Sequence, residues 1–158
     1  DMTQSEMAVK MVLDRWNGSI VNTNKLLNEI TDEQLMNEVA PGKNRGVYLL
    51  GHLIAVHDDM LILLGMGEKV FPELYEPFIN QADKANTVIP ISEELRAMWD
   101  KQNEVLQAKF AAEADWYAKH TAVSAEDFVK EPHRNKLNII ITRTSHLQYH
   151  SGQLALLK

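Results

Sequence analysis

Apolar residues recur at three- and four-residue spacing in four stretches of the chain, the signature of helices that turn one face toward a core. The first stretch runs from about Thr3 to Glu29, with Met7, Met11, Leu13, Ile20, Leu26 and Leu27 among its apolar positions. The second runs from about Arg45 to Leu64. A third begins at Ser92, read as an N-cap followed by two glutamates in the first turn, and continues to about Ala118. The fourth runs from about Lys136 to Leu157. No proline interrupts any of them, and alternation of the strand type is hard to find.

Prolines and glycines stand where these helices should stop. Residues 40-APGKN-44 separate the first two, and 65-GMGEKVFPELYEP-77 opens a long crossover that runs to Pro90. Four long helices with one long connection between the second and third predict an all-α four-helix bundle in a single domain over 1–158. A faint internal repeat agrees with this. Each half carries a long helix, then a short capped segment, 31-TDEQL-35 or 124-SAEDF-128, then a proline-containing loop and a helix bearing histidines.

Composition narrows the function. A net charge of −6, with no basic run longer than a pair, argues against a nucleic-acid partner. The longest uncharged apolar stretch is 46-GVYLLGHLIAV-56, interrupted by a histidine, so no membrane span is expected. Cysteine is absent, which removes disulfides, thiolate metal sites and cysteine nucleophiles. The start, 1-DMTQSEMAVK-10, has no signal-peptide core, and the cytoplasm is the expected location.

The chemistry gathers in the last helix. His146 and His150 lie four apart on one face, where both imidazoles can reach a single metal ion. Arg143 and Gln153 share that stripe, and Ile139 and Leu157 close it with apolar ends. The glutamate of an H-E-x-x-H motif is missing, so this is not a zincin. A core histidine pair would show the same spacing.

The second helix offers two candidates for a third ligand, His52 and His57. Five residues place them about 140° apart, so both cannot face one ion. His57 falls amid Leu50, Leu53, Met60, Leu61 and Leu64, and the helical wheel leans toward it. Periodicity leaves the choice open. His120 and His133 fall near helix ends and read as solvated surface, and Asp58 and Asp59 read as the more polar side of their helix.

The combination of 49-LLGHLIAVHDD-59 with 146-HLQYHSGQL-154 resembles the DinB/YfiT-like superfamily of four-helix metalloproteins. Trp16, 30-ITDEQL-35 and 41-PGKNRGVYLLGHL-53 fit the same pattern, so the resemblance spans nearly the whole chain. It implies an up-down-down-up four-helix bundle that forms a homodimer. It also implies a divalent metal, zinc or nickel, held by one histidine of the second helix and two of the fourth, which here are His52, His146 and His150. Three imidazoles leave a coordination position open, as in reactive sites. The implied function is a metal-dependent hydrolase or thiol S-transferase acting on a small molecule, with a low-molecular-weight thiol as co-substrate. A non-catalytic metal-binding stress-response or small-molecule-binding dimer is the alternative, and a bundle with histidines in its core is the third reading.

Arg143 could orient an anionic substrate or form a salt bridge, and Gln153 could hold a ligating histidine or cap a buried polar neighbour. Trp16, Tyr48, Trp99, Trp116 and Tyr149 read as core or interface residues. The crossover 66–91, with Phe71, Tyr75 and Phe78, could cover the site or merely connect helices.

Overall fold

The computed structural model describes residues 1–85 and 88–158. Its helices are α1 (Gln4–Glu29), α2 (Asp32–Leu35), α3 (Gly46–Leu63), α4 (Ser92–Ala112), α5 (Ala125–Lys130) and α6 (Lys136–Leu154). Single tight or wide turns add Pro72–Leu74, Glu76–Asn80 and Ala155–Leu157. Among the described residues there is no strand, only the isolated antiparallel bridges Glu38–Arg45 and Lys119–Asn135.

Local chemistry sets the helix starts. Thr3 and Thr31 each accept from the backbone N–H three residues on, while Glu6 and Gln34 reach back to the cap N–H, two complete capping boxes. Ser124 caps α5 through the Asp127 N–H. Ser92 does not behave as expected: it is the first helical residue of α4, Ile91 holds the cap position, and no side chain caps this end.

α4 also ends at Ala112, several residues short of the expected Ala118. Trp116 turns inward against Phe110, with ring centroids 5.2 Å apart. The carbonyls of Trp116 and Ala118 then accept the Leu137 and Lys136 N–H groups at 2.9 Å, supplying partners to the first turn of α6. Satisfying that buried helix start outweighs one more turn of α4.

α3 is the most deeply packed helix, with Leu50, Leu53, Ile54 and Met60 at zero exposure. Burying each such side chain stabilises the fold by about 2 kcal/mol. Its 18 residues average a hydropathy of 1.4, long and apolar enough by length and composition to cross a membrane. The expectation that no stretch reaches that length is therefore corrected. In the fold, 72% of this helix is buried inside the protein.

α3 packs against α4 and α6, and α1 packs along α6. Thr23 Oγ1 lies 2.7 Å from Ser151 Oγ, and the Gln148 amide donates to Ser19 Oγ at 3.1 Å, tying α1 to α6. Across the molecule, Arg96 of α4 donates to the Leu27 and Ile30 carbonyls at 2.7 and 2.6 Å and so closes the C-terminus of α1.

The connection from α3 to α4 is anchored at Val70, Phe71, Gln81 and Asp83. Asp58, which is 1% exposed, accepts the Val70 and Phe71 N–H groups at 2.8 Å each and also the Gln102 amide. The expected polar-side placement fails for Asp58, because this carboxylate is a buried latch. Farther on, Tyr48 donates to the Gln81 carbonyl at 2.6 Å, and Arg45 pairs with Asp83 at 2.8 Å.

Candidate metal centre

α3 and α6 bring His52, His146 and His150 together. The Nε2 atom of His146 lies 3.2 Å from that of His52 and 3.1 Å from that of His150. One potential ligand atom from each of the three fits within 4.8 Å. Four nitrogen or oxygen ligands about 2.05 Å from a tetrahedral ion stand ~3.3 Å apart, so the spacing suits a single ion. All three residues are partly exposed.

Two of the imidazoles are oriented from behind. The Nδ1–H of His52 donates to the Phe78 carbonyl at 2.8 Å. The Nδ1–H of His150 donates to the amide oxygen of Gln153 at 2.7 Å. A proton on Nδ1 leaves the Nε2 lone pair free and aimed at the common point. Of the two readings of Gln153, the structure shows the hydrogen bond to histidine. Tyr48 stacks on His52 at a centroid distance of 6.3 Å, and Tyr149 meets the edge of His150 at 5.1 Å.

Electrostatics favour the neutral form of two of the ligands, His146 and His52. Burial, followed by the neighbouring His150, His52 and Arg143, pushes His146 down to about 4. His52 is also lowered, mainly by burial, with His150 and Arg143 adding to the effect. Neutral imidazole is the form that binds a metal. The His146 Nδ1 is buried without a partner. Three imidazole nitrogens meet at one point, and His52 and His150 hold their protons on Nδ1 with Nε2 free, so the donor set fits a divalent metal ion.

Family models and curated proteins were compared with the chain. Neither set contains a match.

His57 takes no part in the triad. It has zero exposure and lies between Trp16 and Trp99, with ring centroids 4.9 and 5.5 Å away. Both of its ring nitrogens lack partners, and burial pushes it down to about 3, with His146, Arg143 and His52 contributing. The helical wheel leaned toward His57 as the third ligand, and the structure brings His52 to the triad in its place. The core that His57 faces is the indole pair of α1 and α4, not the last helix.

Sequence reasoning missed one participant, Phe78, and misjudged the burial of a histidine away from the site, His120. Phe78 looked like a possible cover, yet its ring is fully buried and its backbone carbonyl is what acts on His52. His120 was read as solvated surface but is 7% exposed, and its Nδ1 accepts the Ala122 N–H at 3.1 Å. A pocket of about 680 Å³, lined by Asp32, Met36, Arg45, Val47, Ile89 and Ser92 among others, contains none of the three histidines.

Proposed function

We propose that the protein is a DinB/YfiT-like four-helix-bundle metalloprotein, with a zinc or nickel ion held by His52, His146 and His150, that acts on a small molecule by hydrolysis or thiol S-transfer. The observation that carries this reading is the convergence of three Nε2 atoms, two of them oriented by acceptors behind the ring. Packing of α1 on α6 and of α3 on α4 and α6, with the long connection between α3 and α4, supports the bundle. Such an ion supplies Lewis acidity, lowering the pKa of a water or thiol that it binds. Phe78 and Gln153 hold the imidazoles in the required tautomer, and Tyr48 and Tyr149 flank the approach.

A second reading, a metal-binding small-molecule carrier without turnover, has one observation in its favour. The cluster of potential ligands consists of histidines alone, and the buried carboxylate of α3, Asp58, is already engaged by three donors. No general base is thereby identified. Exposed Met7, Met11 and Val21 on α1 and Ile141 and Tyr149 on α6 offer apolar surface for the homodimer that belongs to either reading.

Elemental analysis of untagged protein tests the site. About one equivalent of zinc or nickel is expected, lost on joint His146→Ala and His150→Ala substitution and on His52→Ala, and retained in His57→Ala. No metal uptake by the folded wild type, even after metal is added, would return the histidines to a structural role. Turnover in a screen of thiol donors with small electrophiles then separates the enzyme from the carrier.

A further inference from the structure

Arg143 stands out among the four arginines that are partly buried, Arg45, Arg96, Arg134 and Arg143. Arg45, Arg96 and Arg134 each meet a carboxylate, at 2.8, 2.8 and 3.9 Å. Arg143 meets none among the described residues, although its Nε is buried without an acceptor. A buried guanidinium donor left unmade costs more than an ordinary lost hydrogen bond, so an unpaired one in a seam of this kind asks for an acceptor.

Its surroundings define which acceptor. On α6, Arg143 lies three residues before His146, on the adjoining part of the same face. From α3, His57 and His52 are within electrostatic reach of it, and from α6 so is His146. Asp58 lies on α3 as well, but its two carboxylate oxygens are taken by the Val70 and Phe71 N–H groups and the Gln102 amide. In a chain whose net charge is −6, this seam therefore holds a cationic guanidinium beside imidazoles that favour their neutral form, and among the described residues no carboxylate is paired with it.

We infer that Arg143 is the recognition group for a carboxylate on the small molecule that approaches the triad. The ligand class is a carboxylic acid that carries a second, metal-seeking atom on the same small molecule. The planar guanidinium suits a carboxylate through paired, charge-assisted hydrogen bonds. The second contact point rests on reading the triad as a metal site. The Arg143 contact does not.

Cobalt(II)-loaded protein, titrated with 3-mercaptopropionate and separately with 3-mercapto-1-propanol, reads the preference through the thiolate-to-cobalt absorption band. Wild type is expected to bind the carboxylate thiol at least about 10-fold tighter. Arg143→Gln should abolish the preference while still taking up cobalt, and Arg143→Lys should restore part of it. Equal affinities in wild type, or a preference that survives Arg143→Gln, would overturn the inference. In parallel, the Nε–H resonance of Arg143 in metal-free protein, assigned by its loss in Arg143→Gln, should move as propionate is added. If cobalt fails to bind, the metal reading falls and the resonance alone decides. A resonance indifferent to propionate then overturns the carboxylate site too.

Discussion

The Nδ1–H of His52 donates to the Phe78 carbonyl at 2.8 Å, so a residue of the long connection positions a candidate ligand of α3. The same Phe78 presses its ring on the neighbouring Gly51, where an added Cβ would lie 2.3 Å from the ring. Backbone and ring of one residue thus read two consecutive positions of the helix.

Gly51→Ala should displace the Phe78 ring and, with it, the carbonyl behind His52. Forcing a methyl into this packed contact is expected to destabilise the fold by about 1–3 kcal/mol. Metal affinity should fall about 10–100-fold, as it does when the group orienting a ligating histidine is disturbed. Chemical denaturation and metal titration of the variant check both; an unchanged metal Kd would show that the Phe78 carbonyl is not needed.

Gln153 offers the cleaner perturbation because it is only partly buried. Gln153→Leu removes the acceptor for the His150 Nδ1–H and should weaken metal binding about 10–100-fold with little change in stability. Gln153→Glu keeps an acceptor and adds charge, so it should bind at least as tightly as wild type. Competition with a chromophoric chelator distinguishes the three proteins.

Asp58→Ala would leave the Val70 and Phe71 N–H groups and the Gln102 amide without their shared acceptor. A loss of about 2–4 kcal/mol is expected, since buried donors would go unsatisfied. Residues 66–91 should then be cut faster by a protease at low concentration. Cleavage at the wild-type rate would mean the latch is dispensable.

Metal-free protein should lose stability on mild acidification. His57 is pushed down to about 3 and His146 to about 4, both from an ordinary 6.5. Because the folded values are the lower ones, the unfolded chain binds the extra protons. The stabilisation is complete above about pH 6.5 and is lost progressively as pH falls toward 3–4. For fully buried His57 the loss by pH 5 is about 2 kcal/mol. His57→Phe should remove that share of the difference between pH 7.5 and 5.0 in denaturant titrations; an equal loss in both proteins would refute the assignment.

Much of this was legible in the chain itself. The helix starts at Thr3, Thr31 and Ser124 follow from side chains that bond backbone within three residues, a range that sequence reports directly. The pairing of His146 with His150, and the placement of Gln153 behind it, follow from the pitch of one helix. Tertiary structure decided the rest. Periodicity sets the angle of a side chain about its own helix but not which neighbour waits at that angle. His52 and His57 were therefore both eligible until packing put α6 beside one and the indoles of α1 and α4 around the other. Asp58 looked like a surface acid because the N–H groups that it holds lie 12 and 13 residues away. The end of α4 belongs to the same class, set by the carbonyls that the start of α6 requires, a demand made by a segment more than 20 residues downstream.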